Sequence, residues 1–324
     1  MKIRNILVLL AGALLSLQSF AQASNWPIPN KPITFINPFP PGGAVDAFGR
    51  PLAKQISTQM GTSIIVENKG GAGGNIGAEV AANAPPNGYT LLLASGSMMT
   101  VNPFLYKKLP LNYATDLTYI TAVAGGPMLV SVNPNLPVNN LKELIALAKT
   151  KELTFGSAGI GSQVHMAGEN FTYSAGIAAT HVPYKGEGPA LTDLVSGQID
   201  FMVGNLPAAA GFAKSGKIKA LAITSSKRVA QLPDVPTVAE AAIPGFVNMG
   251  WFALAAPSGT PKAIQEKIYA ATQKALVSEA MRKSLEINGL TAILDTPKDQ
   301  LDVQIKNETA NWEKVIKARN IQAQ

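Results

Sequence analysis

Cysteine is absent from the 324 residues, and histidine occurs only twice, at His165 and His181. Without cysteine there is no disulfide framework and no thiol for lipid attachment, so the fold must rest on its core. Two histidines and no thiol argue against a zinc site. Charge is also sparse: 15% of residues are charged against 47% hydrophobic, a globular and not a disordered balance. The net charge of +7 comes from scattered Lys and Arg, densest at Lys214, Lys217 and Lys219. No basic stripe interleaved with aromatics is present, which argues against nucleic acid as a partner. The mild positive balance suits an anionic small ligand, though only weakly.

Only one long apolar run exists. Lys2 and Arg4 precede Ile6 to Leu17, and Ala21-Gln22-Ala23 follows with small residues at the cleavage spacing. The run is short of the roughly 20 residues a membrane span needs. Residues 1–23 therefore read as a signal peptide cleaved after Ala23, with an uncleaved anchor as the alternative. The mature length is enough for a sizeable core and, as a prior, two domains.

Ile33-Thr34-Phe35-Ile36 reads as a strand, and Phe48, Leu52, Ile56 and Met60 fall at helical spacing. Between them runs Asn37-Pro38-Phe39-Pro40-Pro41-Gly42-Gly43-Ala44-Val45-Asp46. Its prolines stiffen the loop and its glycines let the backbone approach a neighbour closely. A rigid loop aiming the free N–H groups of a helix start is a recipe for an anion site. A turn that binds nothing is the plain alternative. Pro51 falls within the helical run and marks either a kink or a new helix start.

The chain repeats this strand, loop, helix order. Strands are expected at 63–66, 90–93, 119–123, 128–132, 153–155, 179–182, 201–203, 221–223 and 251–255. Alternation of this kind predicts an α/β fold with mostly parallel sheets flanked by helices. Residues 125–224 form one α/β unit; 24–124 and 225–324 form the other, made discontinuous by C-terminal helices that have no sheet of their own. Thr260-Pro261 and Thr296-Pro297 each read as a helix cap followed by proline at the first helical position. Ser162 is expected to cap a helix through Phe171, and Gly197 to stop one. Two such lobes leave a ligand cleft between them.

Several chemistries fail on spacing. Gly71, Gly73 and Gly77 imitate a dinucleotide fingerprint, but the strand stands too far before them and no acid ends the next strand. Gly156-Ser157-Ala158-Gly159 is not a nucleophile elbow, although Ser157 with His165 as base is the conceivable serine hydrolase. His165 lies one turn into its helix and faces either cleft or core. Tyr89, Tyr173 and Tyr184 include no adjacent pair for a ferric site. What recurs is a strand end finishing in neutral donors, as at Gly42-Gly43, Ser95-Gly96-Ser97, 156–162 and Gly204-Asn205. A carboxylate held there would be stabilised by backbone N–H groups, hydroxyls and water. Lys185 is the one cation close to such a loop.

Pro38-Phe39-Pro40-Pro41-Gly42-Gly43-x-x-Asp46, Val66-Glu67-Asn68-Lys69-x-Gly71-Ala72-Gly73-Gly74-Asn75-Ile76-Gly77-Ala78 and Pro86-Asn87-Gly88-Tyr89-Thr90-Leu91 together resemble a known family. So do His181-Val182-Pro183-Tyr184-Lys185-Gly186, Leu232-Pro233-Asp234-Val235-Pro236-Thr237 and Ala256-Pro257-x-Gly259-Thr260-Pro261. It is the Bug family, the extracytoplasmic solute receptors of the tripartite tricarboxylate transporter group. The resemblance covers nearly all of the chain after residue 23; Asn37 and Pro51 depart from the pattern.

It implies a two-lobed periplasmic binding protein, not an enzyme, acting as a monomer without cofactor or metal. It also implies delivery of a small organic acid to a transporter with a large and a small membrane subunit. The ligand would be a di- or tricarboxylate, an acidic amino acid, or an aromatic or pyridine carboxylate or amide. Presentation to a sensor kinase is the alternative partnership. The candidate ligand contacts are Phe39, Gly43, Ala44, Asp46, Gly74, Ser95 and Ser97 in the first lobe. Those in the second are Ser157, Ala158, Gly159, Ser162, His165, Tyr184 and Asn205.

Overall fold

Leu91-Leu92-Leu93-Ala94 is buried without interruption, as are Ile33, Phe35 and Ile36. Strands buried on both faces lose the apolar–polar alternation, and helices must cover each side. A computed structural model describes residues 26–296, 298–319 and 321–322. The signal segment with its cleavage after Ala23, and Pro297 of the second threonine–proline pair, lie outside the described residues.

In chain order the strands are β1 (Ile33–Asn37), β2 (Ile64–Asn68), β3 (Thr90–Ser95), β4 (Leu117–Val132), β5 (Leu153–Ser157), β6 (Ala179–Pro183), β7 (Phe201–Asn205), β8 (Lys219–Ile223), β9 (Met249–Pro257) and β10 (Thr291–Ala292). The helices are α1 (Ala44–Met60), α2 (Asn75–Ala82), α3 (Gly96–Thr100), α4 (Asn102–Leu105), α5 (Leu141–Ala148), α6 (Gln163–Ala175), α7 (Glu187–Ser196), α8 (Leu206–Lys214), α9 (Val238–Ala241), α10 (Lys262–Leu276), α11 (Glu279–Asn288) and α12 (Lys298–Arg319).

The strands form one curled sheet in the order β2-β1-β3-β9-β4-β7-β5-β6, with β8 and β10 also on β4. The outer pairs are parallel, β1 with β2 and β3, and β5 with β6 and β7. The inner pairs that join β4 to β9, β7 and β8 are antiparallel. The sheet is thus more mixed than alternation suggested, because β9 runs against β3 on one side and β4 against β7 on the other. Residues 119–123 and 128–132, expected as two strands, form the single β4. Gly125, Gly126 and Pro127 stay extended and pair with Trp251, Gly250 and Met249. A side chain on Gly126 would collide with Leu290 and crowd the Gly289 carbonyl, which favours glycine there.

β4 therefore passes from one half of the sheet to the other at Pro127–Met128, and the chain returns through 224–248. Thr224 ties the two crossings together. Its hydroxyl accepts from the Met128 N–H at 2.7 Å and donates to the Asn248 carbonyl at 2.6 Å. One apolar core surrounds Phe35, Phe48, Leu92 and Phe252. A second surrounds Met128, Phe155, Phe171 and Phe201. Helices α10 and α11 pack on α1, and α12 packs on α3 and β4.

Local capping follows the sequence at some ends and departs from it at others. The Ser162 hydroxyl accepts from the His165 N–H at 3.2 Å and caps α6, and Gly197 ends α7 in the left-handed conformation. Pro51 lies inside a single continuous α1, where it removes one helical hydrogen bond without ending the helix. Thr260 is not a cap. Its hydroxyl turns back to the Pro257 carbonyl at 2.7 Å, and α10 begins after Pro261. Among the described residues, no helix is long and apolar enough to cross a membrane.

Candidate ligand-binding site

The loop before α1 is shaped from behind by amide side chains. The Phe39 N–H donates to Asn37 Oδ1 at 3.1 Å, and Asn68 Nδ2 donates to the Phe39 carbonyl at 2.8 Å. Asp46 accepts from Asn37, Asn68 and Arg50, the last at 2.9 Å. These bonds hold Asp46 on the back of the loop, away from the cleft. Gly43 caps α1 without any side chain, so no cap group takes the Ala44 N–H, which faces across the cleft.

What they face is a carboxylate of the protein itself. Glu187, at the start of α7 in the other lobe, is buried and accepts from the Ala44 N–H at 3.3 Å. It also accepts from the Asn205 backbone N–H at 2.5 Å and from Asn205 Nδ2 at 3.0 Å. Burial pushes the Glu187 carboxyl up to about 7, against the pull of these three donors. The positive end of α1 is thus complemented by an acidic side chain from the opposite lobe.

Beside Glu187 lies a cavity of about 20 Å³. One water needs roughly 10–15 Å³ on the same measure, so the cleft is nearly shut. Phe39, Gly43, Ala44 and Ser95 line it from one lobe, and Ala158, Ser162 and Asn205 from the other. The structure gathers these seven of the candidate contacts at one place. Val45, Gln163, Val164 and Glu187 complete the wall and were missed. Glu187 directly follows the Tyr184-Lys185-Gly186 motif, and an acid in a helix's first turn was the signal that could have found it.

The other candidates stand further off. Ser97 meets Ser95 through their hydroxyls at 3.3 Å, one step behind the wall. Gly74 packs on the Met98 thioether. Gly159 meets Gly73 where the lobes touch, and Tyr106 donates to the Ile160 carbonyl at 2.7 Å across the same seam. The Tyr184 hydroxyl donates to Asp193 at 2.7 Å. Lys185 is exposed.

Ser157 pairs with His181, not with His165. Its Oγ is 2.6 Å from His181 Nε2, and Ser157 is fully buried. His165 Nδ1 accepts from the Gly161 N–H at 3.2 Å, which places the ring proton on Nε2, 3.7 Å from Glu169. The two imidazoles stack with centroids 4.0 Å apart. Sequence alone placed His165 at cleft or core; the structure puts it in the core of the second lobe.

A profile of the tripartite tricarboxylate transporter family receptor matches residues 48–321. The chain belongs to this receptor family. Protein BugT of Bordetella pertussis (strain Tohama I) is 38% identical over 292 residues, covering 89% of each chain. The solved periplasmic binding protein BugD superposes with a TM-score of 0.87 at 33% identity, covering 91% of this chain and 100% of its own. Rpa4515 of R. palustris, solved with adipate, superposes with a TM-score of 0.87 at 34% identity, covering 92% of this chain and 99% of its own. The two-lobed fold with a cleft between the lobes is the fold of these receptors. Within it, the α1 start and the β5–α6 loop face each other across that cleft.

Proposed function

We propose that this receptor captures a small organic acid in the periplasm and delivers it to a transporter built of a large and a small membrane subunit. The observation that carries the reading is the cleft. The N-terminus of α1 points across it at the other lobe, and the wall offers backbone N–H groups and the hydroxyls of Ser95 and Ser162. A family member was solved with a dicarboxylate, adipate, which supports the acid class. Phe39, Gly43, Ala44, Ser95, Ala158, Ser162 and Asn205 would contact the acid, with the lobes divided as 24–124 plus 225–324 and 125–224. The chain would act as a monomer after cleavage at Ala23. Because the cavity holds about one water in the closed arrangement, the lobes must part to admit an acid and close again around it.

Isothermal titration of the mature chain against a panel of aliphatic dicarboxylates, acidic amino acids and aromatic acids tests this. The expected result is one binder with micromolar or tighter affinity and, by small-angle scattering, a smaller radius in its presence. A panel without any binder overturns the acid reading.

A further inference from the structure

Beside the N–H groups and hydroxyls that suit a carboxylate, one stretch of the cleft wall carries side-chain acceptors. Glu187 is the one ionisable side chain that lines the cavity among the described residues. Around it the amides are locked in one direction. Gln163 Nε2 donates to Asn205 Oδ1 at 2.7 Å, and Asn205 Nδ2 donates to Glu187. A carboxylate can only accept, so it turns Asn205 Nδ2 toward itself, and Asn205 Oδ1 then turns Gln163 Nε2 inward. The end of this chain is Gln163 Oε1, buried and without a hydrogen-bond partner. A buried acceptor left alone is costly, and a native site that keeps one is built to receive a donor.

The two observations are linked through Asn205 and point the same way. One is a buried carboxylate with no Lys or Arg against it in the wall; the other is an orphaned amide oxygen on Gln163, which lines the same cavity. A second carboxylate brought into the same closed cavity would face Glu187 at short range with no cation between them. A ligand group carrying N–H or O–H would instead pair the lone Gln163 Oε1, and a cationic one would also offset the Glu187 charge, whose oxygens already hold three donors.

We infer that Glu187 and Gln163 select acids that carry a hydrogen-bond donor beside their carboxylate, such as an ammonium or an amide N–H, over plain diacids of the same length. Selection rests on the receptor reading above and narrows its ligand class. The donor sits between Glu187 and Gln163 Oε1, and the ligand carboxylate takes the remaining neutral donors of the cleft.

Matched pairs test this by titration calorimetry on the mature chain: glutamate against glutarate, aspartate against succinate, and 3-carbamoylbenzoate against isophthalate. In the wild type, the donor-bearing member of at least one pair binds ten-fold or more tightly than its diacid. Glu187→Gln cuts that ratio below three-fold, with the diacid gaining. Glu187→Ala, which removes the side-chain acceptor altogether, serves as the second variant, and Gln163→Met shrinks the ratio in the same direction. A diacid that binds the wild type as tightly as its partner overturns the inference and leaves the receptor reading standing. So does a ratio unchanged in both Glu187 variants. If no member of any pair binds, the inference and the acid reading both fall. The wild-type comparison decides even if the variants do not fold.

Discussion

Ser157 Oγ stands 2.6 Å from His181 Nε2, and the His181 ring packs against those of Phe155 and His165, at 4.9 and 4.0 Å. Burial, and then the neighbouring His165, push the His181 imidazole down to about 3. A useful general base has its pKa near the working pH, and this one is far below it. Ser157 is fully buried and its Oγ accepts from the Gly159 N–H at 3.1 Å. The pair holds the β5 end loop in place and is not arranged to attack a substrate. A fluorophosphonate probe should leave Ser157 unlabelled in the intact protein. Labelling at Ser157, found by mass spectrometry, would reinstate hydrolysis as a reading.

Two buried groups give stability opposite slopes with pH. Glu187 has a carboxyl raised from 4.5 to about 7 in the fold, so the folded chain binds more protons between those values. Stability from this group falls as pH rises from 4.5 through 7, by roughly 3 kcal/mol at most. His181 is depressed from 6.5 to about 3, so its contribution is lost as pH falls from 6.5 toward 3. In Glu187→Gln the change in melting temperature should be more positive at pH 8 than at pH 5. Equal changes at the two values would show that Glu187 is not carried uncomfortably in the fold.

Ser162→Ala should destabilise the chain by about 0.5–2 kcal/mol, the usual worth of a serine cap. Its hydroxyl accepts from the His165 N–H, and Ser162 is buried, so water does not replace the bond. Denaturant unfolding measures it, and a loss near zero would mean the first turn finds another acceptor.

Thr224→Val keeps the shape and removes the hydroxyl that joins the two crossings between lobes. The Met128 N–H then loses this acceptor and the Asn248 carbonyl loses its donor. The expected cost is about 1–3 kcal/mol, the penalty for buried polar groups left unpaired. Hydrogen exchange should speed up at Met128 and in residues 246–250; exchange confined to wild-type rates there would contradict the role.

Gly73→Ala blocks closure. Gly73 holds φ +62, and an added Cβ would overlap the Ile160 carbonyl oxygen of the opposite lobe. The closed arrangement becomes rarer, and apparent affinity falls with the fraction able to close. An affinity loss of about ten-fold or more is expected, with a larger radius in small-angle scattering, because apparent affinity scales with that fraction. Unchanged affinity would show that the ligand is held without this seam.

Much of the fold was legible because local signals were strong. Ile33 to Ile36, Leu91 to Ala94 and the Ser162 cap each declare their structure within a few residues, by burial pattern or by hydrogen-bonding chemistry. The loop at 37–46 announced a helix N-terminus and left open whether it faced anything. Pairing was not legible. Gly125-Gly126-Pro127 looked like a break because glycine and proline usually end strands. Pairing with β9, far away in sequence, is what holds those three residues extended.

The sequence by itself determined that the chain is α/β, that its strand ends carry neutral donors, and that its motifs are those of a solute receptor. These are properties of short segments, set by propensity, spacing and capping. Only the tertiary structure decided which groups meet: Ser157 with His181, Thr224 with Met128, and Glu187 with the start of α1. Glu187 and Ala44 are 143 residues apart, and no local rule reports on such a pair. Burial, which raises the Glu187 carboxyl and silences His181 as a base, exists only once the lobes have packed together.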